Sequence, residues 1–131
     1  MMRRLALAAL LLLGGCASPE ARVPNWAGGL VEQPGLYVDP RTGLHLRVKT
    51  AGGLVNYTVQ DSTGRELFHN RERASAHQRW ALYAAPDGSL WVASSDVGTI
   101  VWRRNSEGAY YQRDATGEEP DRPAVLAPFY R

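Results

Sequence analysis

Turn signals recur along this chain at a spacing that short strands fill and long helices do not. Asp39-Pro40-Arg41-Thr42-Gly43, Ala51-Gly52-Gly53, Asp61-Ser62-Thr63-Gly64, Pro86-Asp87-Gly88-Ser89, Ser95-Asp96-Val97-Gly98, Asn105-Ser106-Glu107-Gly108 and Asp114-Ala115-Thr116-Gly117 punctuate the sequence. Most begin with Asp or Asn, whose side chain bonds the backbone two residues on, and end on a Gly that closes the turn at positive φ. Gly88, Gly98, Gly108 and Gly117 fall nine or ten residues apart. Turns repeated at about 8–12 residues imply an all-β sandwich or barrel.

The segments between the turns alternate apolar and polar residues. Leu44, Leu46 and Val48 share one face, with His45, Arg47 and Lys49 on the other. Val55, Tyr57 and Val59 alternate with Asn56, Thr58 and Gln60, and Trp80, Leu82 and Ala84 with Arg79, Ala81 and Tyr83. Period-two alternation marks strands with one wet face. Eight strands are predicted, near residues 35–38, 44–50, 54–60, 65–70, 77–85, 90–94, 99–104 and 109–113. Tight turns between sequential strands make an antiparallel meander, closed as a small barrel or folded as a sandwich. A four-residue loop Ser95–Gly98 would set Trp91 opposite Trp102 across one hairpin. No stretch beyond residue 16 reads as a long amphipathic helix.

The N-terminal end has a different character. Met1-Met2-Arg3-Arg4 is followed by nine apolar residues, Leu5 to Leu13, then Gly14, Gly15 and Cys16. A basic start, a short apolar run and a small-residue cut site are the parts of an export signal. The run is too short for a bilayer span, which needs about 20 residues. Leu13-Gly14-Gly15-Cys16 resembles the lipobox of bacterial lipoproteins. That resemblance implies diacylglycerol on the Cys16 thiol, cleavage just before it, and acylation of the new amine. Two or three acyl chains anchor stably where one does not. Ala17, rather than Asp, follows the cysteine; by analogy with enteric sorting this implies the outer membrane, facing the periplasm.

The expected organisation is therefore a signal peptide over 1–15, a lipidated linker over 16–34, an antiparallel β domain over 35–117 and a tail over 118–131. The linker carries three Pro and two Gly without periodicity, and Trp26 within it is expected to dock on the domain. The tail, with Val125, Leu126, Phe129 and Tyr130, is expected to pack as an extended segment closing a sheet edge; exposed edges template aggregation and need cover.

Charge and cysteine usage remove several function classes. The chain holds 15 basic and 13 acidic residues. Loss of Arg3 and Arg4 with the signal leaves 13 of each, a balance with no nucleic-acid footprint. Cys16 is the sole cysteine, so once lipidated it leaves none for a disulfide, a zinc–thiolate site or a catalytic thiol. No Gly-x-Ser-x-Gly elbow, phosphate loop or His-Glu-x-x-His run occurs. Glu118-Glu119 is an adjacent pair in a loop, without the fixed separation that glycosidases use. Asp87, Asp96, Asn105 and Asp114 recur every nine residues but lack the further glycines of calcium repeats, so they read as hairpin turns. Of the three histidines, His45, His69 and His77, none pairs at helical spacing, and His45 and His69 would need to sit near Asp39, Asp61 or Glu66 to make a metal site. No cofactor is implied.

One group could make a ligand-binding face. Arg65, Arg71, Arg73, Arg79, Arg103 and Arg104 lie on or beside central strands. Arg71, Arg79 and Arg103 together with His77, Tyr83 and Tyr111 could grip an anionic glycan, lipid headgroup or peptide carboxylate. The alternative is a solvated face neutralised by Glu66, Glu72 and Glu107. The expected role is a non-catalytic binding or accessory lipoprotein of the envelope, with an envelope protein, glycan or lipid as partner. Two alternatives stand beside it: a small barrel holding an apolar ligand or lipid, and a hydrolase of envelope glycans or peptides.

Overall fold

The structure, a computed structural model, describes residues 22–23, 29–115 and 120–129. The lipobox with Cys16, Trp26, Gly117, Glu118-Glu119 and Tyr130 lie outside the described residues. Ten strands run in chain order: β1 Arg22–Val23, β2 Leu30–Val31, β3 Gly35–Val38, β4 His45–Ala51, β5 Leu54–Gln60, β6 Glu66–His69, β7 Trp80–Ala84, β8 Leu90–Ser94, β9 Gly98–Arg104 and β10 Tyr110–Asp114. A six-residue 3₁₀ helix, η1, covers Ala124–Phe129. The strands form two five-stranded sheets, β1-β3-β4-β5-β6 and β10-β9-β8-β7-β2. Each contains a four-stranded antiparallel meander, and only the short β1 pairs in parallel. The fold is a sandwich, not a closed barrel.

The turns have the chemistry that the sequence predicts. At Asp61–Arg65, Ala85–Ser89 and Asn105–Ala109 the first N–H bonds the fifth carbonyl, and the fourth N–H, a glycine's, bonds the first carbonyl. This is a type I turn followed by a left-handed residue, one of the common hairpin loops. Gly64, Gly88 and Gly108 occupy that position at φ 88°, 86° and 81°.

The inner faces of the two sheets form one core. Leu46, Val48, Val55, Tyr57, Val59 and Phe68 meet Trp80, Leu82, Leu90, Val92, Ile100 and Trp102, all buried. The alternation predicted for β4, β5 and β7 supplies these residues. Leu30–Val31, inside the expected linker, pairs with Tyr83 and Leu82 of β7, and Val31 joins the core. The chain then crosses to the other sheet at β3, which stitches the sandwich along this side. Along the opposite side β6 and β10 are the last strands of their sheets among the described residues, and the cleft between the sheets opens there.

Two expectations are corrected here. The loop between β8 and β9 has three residues, because Ser94 pairs with Gly98. Leu90 therefore opposes Trp102, and Trp91 opposes Val101. A one-residue change of register reverses every side chain, so Trp91 and Trp102 lie on opposite faces of the sheet. The tail, moreover, does not extend along an edge. Leu126 N bonds Pro123 O, the 3₁₀ spacing, and Leu126 and Phe129 pack on Ala81, Trp91, Ala93 and Val101 in a second, outer core. Because η1 covers that face, β8 is buried on both sides instead of having one wet face. Arg103 clamps the tail through two 2.8 Å bonds to Asp121.

The crossover from β6 to β7 is fixed alongside β5. Asn70 accepts from Tyr57 N at 3.1 Å, Val55 N bonds Ala74 O, and Ala76 N bonds Gly53 O. Asp96, in the β8–β9 loop, accepts from Ser75 N at 2.9 Å and from the Ser94 hydroxyl. The bond from Ser94 is the largest influence on this carboxyl and, with the Ser75 N–H, holds it below the ordinary carboxylate range despite partial desolvation.

Candidate functional site

The open side of the sandwich carries two adjoining chambers. The first lies at the end of the cleft, where the β3–β4 turn and the β7–β8 hairpin loop meet. Its volume is about 270 Å³. Leu44, Val59 and Phe68 wall it from one sheet and Ala84, Leu90 and Tyr110 from the other. Its polar side chains, Asp39, Arg41, Thr42 and Ser89, belong to the two loops at its rim. Ligand pockets typically span about 300–1,000 Å³, are mainly apolar and hold a few oriented polar groups. The end chamber sits near the lower bound of that range and has that lining.

The rim is held by Asp39. This buried carboxylate accepts from Arg41 N at 2.9 Å and from Thr42 Oγ1 at 2.9 Å, while Asp39 N bonds Leu44 O. The turn is thus closed from both ends by one residue, as an Asx turn requires. Burial raises the Asp39 carboxyl, but the backbone donor, the Thr42 hydroxyl and the Arg41 charge outweigh it and leave it below the usual range. Across the mouth, Ser89 Oγ donates to Asp87 at 2.5 Å and accepts from Trp91 Nε1 at 3.1 Å.

The second chamber, about 260 Å³, opens sideways between the edges of β6 and β10 and is lined by Glu66, Leu67, Phe68, His69, Arg71, Trp102 and Tyr110. Phe68 and Tyr110 bound both chambers. Their rings tilt against each other at 4.6 Å, and Phe68 stacks on Trp102 at 4.4 Å. This aromatic trio is the partition. Burial raises the Tyr110 phenol, and the Arg104 guanidinium, 5.0 Å over its ring, opposes that shift. At the outer rim His69 Nδ1 lies 2.7 Å from Glu66 Oε1, with both side chains about half exposed or more.

The six residues of the expected binding face do not share one surface. Tyr83, Arg103 and Tyr111 are on the outer face of the β7–β10 sheet. There Tyr83 packs into the outer core, Arg103 lies over Trp91 at 5.2 Å and is clamped to Asp121, and Tyr111 is exposed. Arg79 stands beside them with its guanidinium 4.6 Å over Phe129. Arg71 belongs to the sideways chamber, 5.9 Å over Trp102. His77 sits in the crossover near Gly53. Arg79 and Arg103 are thus engaged with the chain's own tail, and of the six only Arg71 lines one of the two chambers. Of the partners expected for these arginines, Glu66 instead pairs with His69.

The histidines do not converge. His45 is on β4 opposite Gln60 and His69 is on β6 opposite Thr58. No cluster of three metal-ligating side chains occurs among the described residues. Chemically, the apolar end chamber can take up an apolar body and orient it by a polar rim. The sequence names Asp39 to Gly43 and Pro86 to Ser89 as turns. Nothing in their spacing, more than forty residues apart, signals that they meet around a cavity. No protein-family model matches this chain, and no curated protein or solved structure matches it either.

Proposed function

We propose that this chain is a lipid-anchored protein of the bacterial cell envelope whose sandwich binds a small, largely apolar ligand without transforming it. The lipobox-like Leu13-Gly14-Gly15-Cys16 supports the anchor, with the outer membrane as its site and the domain facing the periplasm. The observation that carries the binding role is the end chamber, about 270 Å³ of space walled by Leu44, Val59, Phe68, Ala84, Leu90 and Tyr110. Native interiors are close-packed and keep few voids larger than a water molecule. An open apolar space of this size is a cost to stability that a bound molecule offsets.

The test is a titration of the full chain in nanodiscs with 1-decanol, followed by the methyl resonances of Leu44, Val59 and Leu90. Saturable shifts of these methyls are expected, and Ala84→Leu, which takes up part of the chamber, weakens them. Absence of any saturable shift in the unaltered chain would refute the binding role. A second reading is favoured by one observation, the His69–Glu66 pair at 2.7 Å on the rim of the sideways chamber. An imidazole oriented by a carboxylate can act as a general base, which would suit hydrolysis of an envelope glycan or peptide. Among the described residues no Ser, Thr or Cys lines that chamber, so the nucleophile would be water. Loss of a hydrolytic activity on His69→Ala, with methyl shifts intact, would favour this reading over binding alone.

A further inference from the structure

The rim of the end chamber is formed by the β3–β4 turn and the β7–β8 loop. Its hydroxyls are already engaged. Thr42 Oγ1 donates to Asp39 and accepts from Leu44 N at 3.3 Å, and Ser89 Oγ donates to Asp87. The Asp39 carboxylate offers acceptors only, and two of them are taken by Arg41 N and Thr42. Ala85, Pro86 and Gly88 have no polar side chain. Among the side chains of the two rim loops, the unused hydrogen-bond donors therefore belong to Arg41. Its guanidinium touches the protein through Nε, 3.5 Å from Asp39, and its side chain is 59% exposed. A guanidinium carries five N–H donors in a fixed fork and no acceptor. Such a group rewards a carboxylate or phosphate, which it can hold bidentately, over a neutral hydroxyl or an amine.

We infer that the end chamber takes a single-chain anionic amphiphile, its hydrocarbon between the sheets and its carboxylate or phosphate at the mouth against Arg41. This rests on the proposed binding role and adds the head group and the orientation to it. The apolar walls fix which end enters, because an ionised head placed among Val59, Phe68 and Leu90 would be desolvated without a partner. The volume sets the scale of the chain. A space of about 270 Å³ holds roughly nine water-sized groups at about 30 Å³ each, which corresponds to a chain of about eight to ten carbons. A fatty acid and a phosphate monoester of a lipid share this chemistry.

The experiment titrates the full chain in nanodiscs with decanoate, decyl phosphate and 1-decanol, reading the methyls of Leu44, Val59 and Leu90. Each ligand is compared between the unaltered chain and Arg41→Gln, so that partitioning into the bilayer cancels. Arg41→Gln keeps the backbone N–H that binds Asp39 and gives up only the 3.5 Å approach of Arg41 Nε to that buried carboxylate, and a fingerprint spectrum confirms that the fold is retained. Decanoate or decyl phosphate is expected to weaken about fivefold in Arg41→Gln, while decanol changes less than twofold. Arg41→Lys is expected to recover part of the loss. A larger ratio for decyl phosphate identifies a phosphate head as the natural source, and a larger ratio for decanoate identifies a fatty acid; either supports the inference. Equal ratios for decanol and the anions, or no effect of Arg41→Gln on any of them, would overturn it and leave the apolar-ligand role standing. No saturable shift with any of the three would remove both.

Discussion

The indole Nε1 of Trp102 donates to the phenol oxygen of Tyr57 at 2.8 Å, joining β9 of one sheet to β5 of the other through the middle of the core. Both side chains are buried. Burial, together with the negative charge of Glu72, raises the Tyr57 phenol well above its ordinary value, so it stays neutral and accepts this bond across the whole accessible pH range. Tyr57→Phe leaves the Trp102 N–H buried and unpaired, a loss of about 1–3 kcal/mol. Urea unfolding is expected to show a lower midpoint with an unchanged slope. A midpoint within error of the parent would mean that water replaces the phenol.

The outer core depends on the tail. Leu126 is fully buried against Ala81, Trp91, Ala93 and Val101. Leu126→Ala is expected to cost about 2–5 kcal/mol and to shift Trp91 fluorescence to the red. Breaking the Arg103–Asp121 clamp is a smaller change. Asp121 is 47% exposed, and exposed pairs contribute about 1 kcal/mol or less. Asp121→Asn should therefore lower the midpoint far less than Leu126→Ala. A reversal of that order would place the hold on the tail in the ion pair and not in its apolar contacts.

Acid should loosen the chamber rim. Asp39 and Asp96 titrate below the ordinary carboxylate range in the folded protein. The unfolded chain then binds protons at higher pH than the folded one, so stability rises with pH through that window. The contribution of these groups is complete above the unfolded carboxylate value, near pH 4. It is lost as pH falls through the lowered folded values. Midpoints measured from pH 6 down to pH 2 should drop on the acid side, and Asp39→Asn should flatten that limb. An equally steep limb in Asp39→Asn would assign the acid sensitivity to other carboxylates.

The proposed anchor has its own check. Cys16→Ser is expected to abolish cleavage before residue 16 and to leave the chain unacylated, as read by intact mass. A serine variant processed and membrane-bound like the parent would remove the lipid from the account.

How much of this was legible in the residues follows from the range over which each signal acts. The hairpin turns were readable because an Asx side chain and a positive-φ glycine act within five residues, as at Asp61–Arg65 and Asn105–Ala109. The eight main strands followed from alternation between those turns. Register at the β8–β9 loop was not readable. Ser95-Asp96-Val97-Gly98 suits a loop of three residues or of four, and the choice is made by the Asp96 bonds to Ser94 and Ser75, the latter in a loop twenty-one residues earlier. The role of η1 was hidden for a related reason. Leu126 and Phe129 read as apolar, but the face that receives them was expected to be wet. Of the chamber walls, Leu44, Val59 and Ala84 were readable from the alternation as inward-facing residues. That a space lies beside them was not, because the two loops at its rim are more than forty residues apart.

The clasp formed by Leu30–Val31 on β7 has a consequence for the order of assembly. Every hairpin of the two meanders can zip from its own turn, but β2 must wait for Leu82 and Tyr83, about fifty residues downstream. Only two residue pairs reward that closure. β2 is therefore expected to be secured late in folding and released early in unfolding, while the two meanders are still intact.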